Sequence, residues 1–164
     1  MLHENPVIVH QRDLVEYEIQ KLLTGEIQLQ KHIPAWAHQA VSPQLKKILA
    51  DCLELARQHI NMMGSFLDKE YIMLRAFPNE VMGSFIKEAD QKLSFCQSAA
   101  TKDAGLLVSI LSINEYKLSS YNATAYVAEV VGMKKQAEIF RKSAGNEQIM
   151  KEQLLRLEEY STIY

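Results

Sequence analysis

Four stripes of apolar residues at helical spacing, each broken by an ionisable or amide side chain, constrain this chain more than any other feature. Val15, Ile19, Leu22, Leu29 and Ile33 share one face, and Glu26 stands in its middle. His59 breaks a second stripe, Asn114 and Lys117 a third, and Glu147 a fourth. An amphipathic helix holds its place by burying its apolar face, and a lone charge buried there costs several kcal/mol. Four interruptions become tolerable together if they meet in one interior polar site. Helical bundles build metal centres in this way, from side chains on facing helices.

Glycine and proline mark where the helices begin and end. The first helix is expected from about residue 9 to Ile33, with Pro34 bending or ending it. Ser42-Pro43 is a start signal, a cap residue followed by proline at the first helical position. The helix it opens runs to about Leu67 and is expected to bury Leu45, Leu49, Cys52, Leu55, Ala56, Ile60 and Met63. Thr101 or Asp103 opens the next long helix, and Gly132 ends it. The last helix buries Ala137, Phe140, Ala144 and Leu154 and stops near Tyr160. No strand-like alternation of useful length is present.

The spacing between helices sets the topology. The first two long helices, and the last two, are joined by short turns and so form antiparallel hairpins. Between Leu67 and Thr101 lies a long connection holding Pro78 and an amphipathic stretch from Glu80 to Phe95. A helix of ~24 residues is ~36 Å long, and this connection can return along its whole length. The expected fold is an all-α, ferritin-like four-helix bundle, with a short extra helix in a long crossover. Residues 1–164 are expected to form a single domain.

Composition narrows the partners. Net charge is −2, which gives no strong attraction to nucleic acid or an acidic membrane. No apolar run approaches the ~20 residues of a membrane span, and Met1 to His10 lack the pattern of a secretory signal. Cys52 and Cys96, the only cysteines, are expected to remain thiols in a reducing cytoplasm.

Glu26, flanked by leucines at −4 and +3, requires a metal, a lysine, a proton or a hydrogen-bond donor if it is interior. His59 lacks the carboxylate three residues earlier that a bundle metal motif supplies, because that residue is Ala56. Asn114 is a poor ligand for iron or zinc, and a protonated Lys117 is none. Lys117 has the alternative of extending to the surface along its aliphatic stem. Glu54, Gln58 and Glu115 read as solvated. Tyr116, Tyr121 and Tyr126 read as packing residues, and the seven methionines as core filler. No nucleophile elbow, P-loop, dinucleotide fingerprint or H-E-x-x-H occurs.

From about Leu14 to Leu155 the chain resembles the YciE/YciF-like, ferritin-like bacterial proteins. Glu18 to Glu26 is similar to the family's opening E-L-R-D-L-Y-D-A-E, with Gln28-Leu29, Lys31 and Pro34 continuing in register. Ser42 to Lys46 resembles S-P-E-L-K, and Met82 to Ala89 resembles the crossover motif M-E-G-L-I-A-E-G. From Asp103 to Gln148 the similarity runs without a gap, and Ile113 to Tyr121 stands where the family has V-E-H-Y-E-I-A-A-Y. The resemblance implies a carboxylate metal site, of which Glu26 and one acid, Glu147, remain. Leu55 and His59 stand at the Glu and Gln of E-E-T-x-x-Q, and Asn114 and Lys117 replace both glutamates of E-H-Y-E. It also implies a homodimer.

A di-iron centre of the ferritin type uses about four carboxylates and two histidines. The sequence therefore favours a metal-free interior cluster of Glu26, His59, Asn114, Lys117 and Glu147, with Lys117 as the counter-ion to both glutamates. The expected role is structural or binding, with no catalytic residue and no cofactor. The alternative is a non-haem iron or manganese oxidoreductase, of the ferroxidase or peroxide-consuming kind, using Glu26, His59 and Glu147. A third reading is a stress-associated interaction module whose outer surface carries the function.

Overall fold

The computed structural model describes residues 6–75 and 77–161, with side chains through Leu157, and contains five helices and, among the described residues, no strand. They are α1 (Gln11–Gln39), α2 (Pro43–Lys69), α3 (Glu80–Phe95), α4 (Ala99–Val130) and α5 (Lys134–Ser161). The start signals act through named atoms. Ser42 Oγ accepts from Leu45 N–H at 3.3 Å at the head of α2, and Asn79 Oδ1 accepts from Met82 N–H at 3.0 Å at the head of α3. Gly132, with φ of 78°, closes α4 in a Schellman turn. Met133 N–H donates to Ala128 O at 2.8 Å and Gly132 N–H to Glu129 O at 3.0 Å.

Two boundaries differ from expectation. Pro34 does not end α1, which continues to Gln39. Pro34 is exposed, and the turns beyond it bury Trp36 and Ala40, at 0% and 2% exposure. Trp36 Nε1 also donates to Asp90 at 2.8 Å, anchoring α1 to α3. The burial offsets the one backbone hydrogen bond that proline removes. The head of α4 lies earlier than Thr101 or Asp103. Ser98 is its cap, accepting from Thr101 N–H at 3.1 Å, while Asp103 accepts from Val41 and Ser42 N–H at 2.8 and 2.7 Å. Asp103 thus fastens the α1–α2 turn to α4.

That fastening puts the start of α4 beside the start of α2, so these two helices run parallel across the bundle. At the opposite end Lys135 of α5 pairs with Glu70, just past α2, at 2.9 Å. The hairpins α1–α2 and α4–α5 pack closely, whereas α1 meets α4, and α2 meets α5, along narrower seams. α3 lies across α1 and α4. This is the single-crossover topology.

The core divides into two apolar clusters. One surrounds Ile33, Trp36, Leu49 and Leu106, and the other surrounds Ile19, Met63, Tyr121 and Phe140. Between them, halfway along the bundle, the stripe-breaking residues form a polar layer.

Candidate functional site

Each long helix contributes to this layer because each carries its polar residue at the same height. Glu26 comes from α1, His59 from α2, Asn114 and Lys117 from α4, and Glu147 from α5. All five are buried, from 0% exposure for His59 to 5% for Lys117. Lys117 does not extend to the surface. Its Nζ stands 2.5 Å from Glu147 Oε1 and 3.0 Å from Glu26 Oε1. Glu54, Gln58 and Glu115 are exposed, as their places off the stripes predict.

The two carboxylates are held differently. Glu26 Oε1 also accepts from Tyr121 OH at 2.6 Å and from His59 Nδ1 at 2.9 Å. Glu147 Oε2 accepts from Asn114 Nδ2 at 2.7 Å, and the same amide donates to the Glu147 backbone carbonyl at 3.0 Å. His59 Nδ1 lies 3.5 Å from Glu147 Oε1, so it faces both acids. Its Nε2 faces Asn146 Nδ2 at 3.4 Å. These partners assign the proton to Nδ1 and the acceptor role to Nε2. Glu26 Oε2 and Asn114 Oδ1 have no hydrogen-bond donor. Glu147 Oε1 has none of good geometry either, but its contact with the ammonium makes it an ion-pair atom and not an orphan.

The charges follow from this geometry. Burial alone would raise the Glu26 carboxyl, yet the Lys117 ammonium, with His59 and Tyr121, holds it down at about 2. Burial likewise opposes the Lys117 ammonium, but Glu147 and Glu26 more than restore it, and its pKa lies above that of an ordinary lysine. Burial and both carboxylates push the Tyr121 hydroxyl well up, so it stays a donor. Burial pushes the nearby Cys52 thiol up to about 12.

A ferritin-type pair of metal ions does not fit these residues. Glu26, His59 and Glu147 each offer one ligand atom, all within 4.8 Å of one another, which is a donor set for a single ion. The ammonium of Lys117 already contacts both of the acids. The adjoining cavity holds only about 10 Å³, the lower limit for one water.

Two members of the layer were not marked by the stripe pattern. Tyr121 lies on the α4 stripe, where a tyrosine reads as packing, and only its hydroxyl direction reveals its role. Asn146 lies beside the α5 stripe and meets His59 across the α2–α5 seam. Tyr116 is partly buried, with its hydroxyl on Asn79 at 3.1 Å, and Tyr126 is exposed.

The fold and its interior layer define a ferritin-like helical bundle protein. The chain belongs to the family described as Domain of unknown function (DUF892), whose profile matches residues 10–162. Two solved structures share the fold. The Escherichia coli stress protein YciF is 18% identical, with a TM-score of 0.88, covering 94% of this chain and 98% of its own. YcfI from Rhodopseudomonas palustris is 19% identical, with a TM-score of 0.86, covering 92% and 96% respectively. The YciE/YciF-like resemblance read from the motifs is therefore correct. No curated protein matches the sequence. Among the described residues, no helix is long and apolar enough to cross a membrane.

Proposed function

We propose that this chain is a metal-free ferritin-like protein with a non-catalytic structural role. In this reading the Lys117 ammonium replaces the metal as the cation at the centre of the bundle. The carrying observation is the contact of one buried ammonium with both Glu26 and Glu147. The space that Lys117, Glu147 and Asn114 line is only about 10 Å³, too small for an organic substrate, and this supports a structural role over a catalytic one. A part in stress physiology is suggested by the description of YciF as a stress protein. The description of YcfI offers a structural role for that protein. We place the chain in the cytoplasm, acting as a homodimer.

The deciding measurement is metal content, made on untagged protein purified without chelators. Far less than one iron, manganese or zinc per chain is expected, and near-stoichiometric metal would overturn the proposal. Sedimentation of the same preparation tests the homodimer.

One observation favours a second reading. Glu26, His59 and Glu147 converge closely enough to hold one iron or manganese ion if Lys117 withdraws, as an oxidoreductase would require. Ferroxidase or peroxide-dependent turnover by the wild-type protein would select this alternative.

A further inference from the structure

Next to the ionic layer, α2 and α5 bring two sulfur atoms together. Cys52 Sγ and Met150 Sδ are 3.5 Å apart, in residues that are 8% and 6% exposed. Both residues line the cavity of about 10 Å³, together with Lys117, Glu147 and Asn114, the residue whose Oδ1 has no hydrogen-bond donor. Neither sulfur belongs to the glutamate–lysine cluster. We propose that Cys52 and Met150 form a binding site for one soft monovalent metal ion, copper(I) or silver(I), in the cavity that Asn114 also lines.

Ligand type sets the ion. A thiolate and a thioether are soft donors and select copper(I), whereas the hard carboxylates nearby are occupied by Lys117. Distance agrees as well. Metal–sulfur bonds of about 2.3 Å span a 3.5 Å separation at a bent S–metal–S angle of roughly 100°. A bent pair leaves a third direction for a weak oxygen donor. A bare ion can occupy a space too small for any organic ligand.

The charge is conserved on binding. The Cys52 S–H bond breaks, a sulfur–metal bond forms, and the proton leaves to solvent, with no change of oxidation state. One positive charge replaces another, so the cluster beside it keeps its balance. Burial opposes the thiolate most, the Lys117 ammonium favours it and Glu147 opposes it, so the metal–sulfur bond has to outweigh the burial. Access is from the α2–α5 seam. A surface groove of about 370 Å³ shares Leu55 and Met150 with the cavity.

The test uses the full chain carrying Cys96→Ser, which removes the second thiol. Copper(I) is supplied anaerobically with ascorbate, in competition with a chromophoric copper(I) chelator. One copper per chain is expected, with two sulfur neighbours in its X-ray absorption spectrum. Met150→Leu, close in volume, should weaken binding at least tenfold while leaving the melting temperature of the metal-free protein nearly unchanged. Cys52→Ser should abolish binding. The absence of competitive copper uptake overturns the site. So does a spectrum with a single sulfur neighbour, or a Met150→Leu affinity equal to the parent's, either of which marks Cys52 and Met150 as packing partners only. Metal analysis of iron, manganese and zinc is independent of this outcome, so this inference and the structural proposal can fail separately.

Discussion

Lys117 and Glu147 form an ion pair of 2.5 Å between α4 and α5, with side chains only 6% and 2% exposed. Desolvating two such ions costs several kcal/mol each, and their attraction offsets this only with further hydrogen bonds. Glu26, Asn114, His59 and Tyr121 supply those bonds. Removing one member should therefore cost more than the pair itself contributes.

Lys117→Met strands two carboxylates in the core. A loss of about 3–5 kcal/mol is expected, read as a lower urea midpoint at neutral pH. An unchanged midpoint would show that the ammonium is not the partner of both acids. Lys117→Glu adds an interior carboxylate instead, and calorimetry should detect manganese or zinc binding absent from the wild type.

The acid limb should report Glu26. Its folded pKa of about 2 lies below the unfolded value near 4.5, so its contribution is full above the unfolded value and lost as pH falls toward 2. Lys117 has the opposite sign. Its folded pKa is raised, so its contribution is full below 10.5 and is lost as pH climbs through the higher folded value. Urea midpoints should fall at both extremes, and Glu26→Gln should flatten the acid side.

Tyr121→Phe removes a 2.6 Å hydrogen bond to Glu26 and little volume. A hydrogen bond to a charged group contributes about 1.5–3 kcal/mol, and a loss of that order is expected at neutral pH. The Glu26 pKa should rise, shrinking the stability change between pH 5 and 2. If that change stays as large as in the wild type, the hydroxyl does not hold the carboxylate down.

Gly25→Ala tests the crossover. A Cβ there would lie 2.7 Å from Asn79 Nδ2, which cannot retreat because it donates to Lys21 O and Tyr116 OH, both at 3.1 Å. Overpacking of this kind costs about 1–3 kcal/mol. Gly64→Ala, in α2 with open space around it, should instead stabilise by about 0.5–1 kcal/mol. Equal effects at the two positions would rule out the contact with Asn79.

The sequence carries the fold where one signal dominates. Short turns, one long connection and 3.6-residue stripes determine the topology and the height of Glu26, His59, Lys117 and Glu147. Helix ends were legible only in part. Pro34 breaks a local rule that the burial of Trp36 overrides, and the cap of α4 competes with Thr101 and Asp103, both good cap residues. Tyr121 and Asn146 escaped because periodicity fixes a residue's face but not the direction of its polar atom. The Cys52–Met150 contact joins residues 98 positions apart, and no local pattern relates them.

The two hairpins meet along narrow seams, yet the central polar layer draws on all four long helices, and its charges sit on both hairpins. Prying one hairpin from the other would expose several oppositely charged groups in a single step, before any later step could recover their attraction. The bundle should resist partial opening and then yield abruptly. The polar layer, lying between the two apolar clusters, thereby makes unfolding all-or-none.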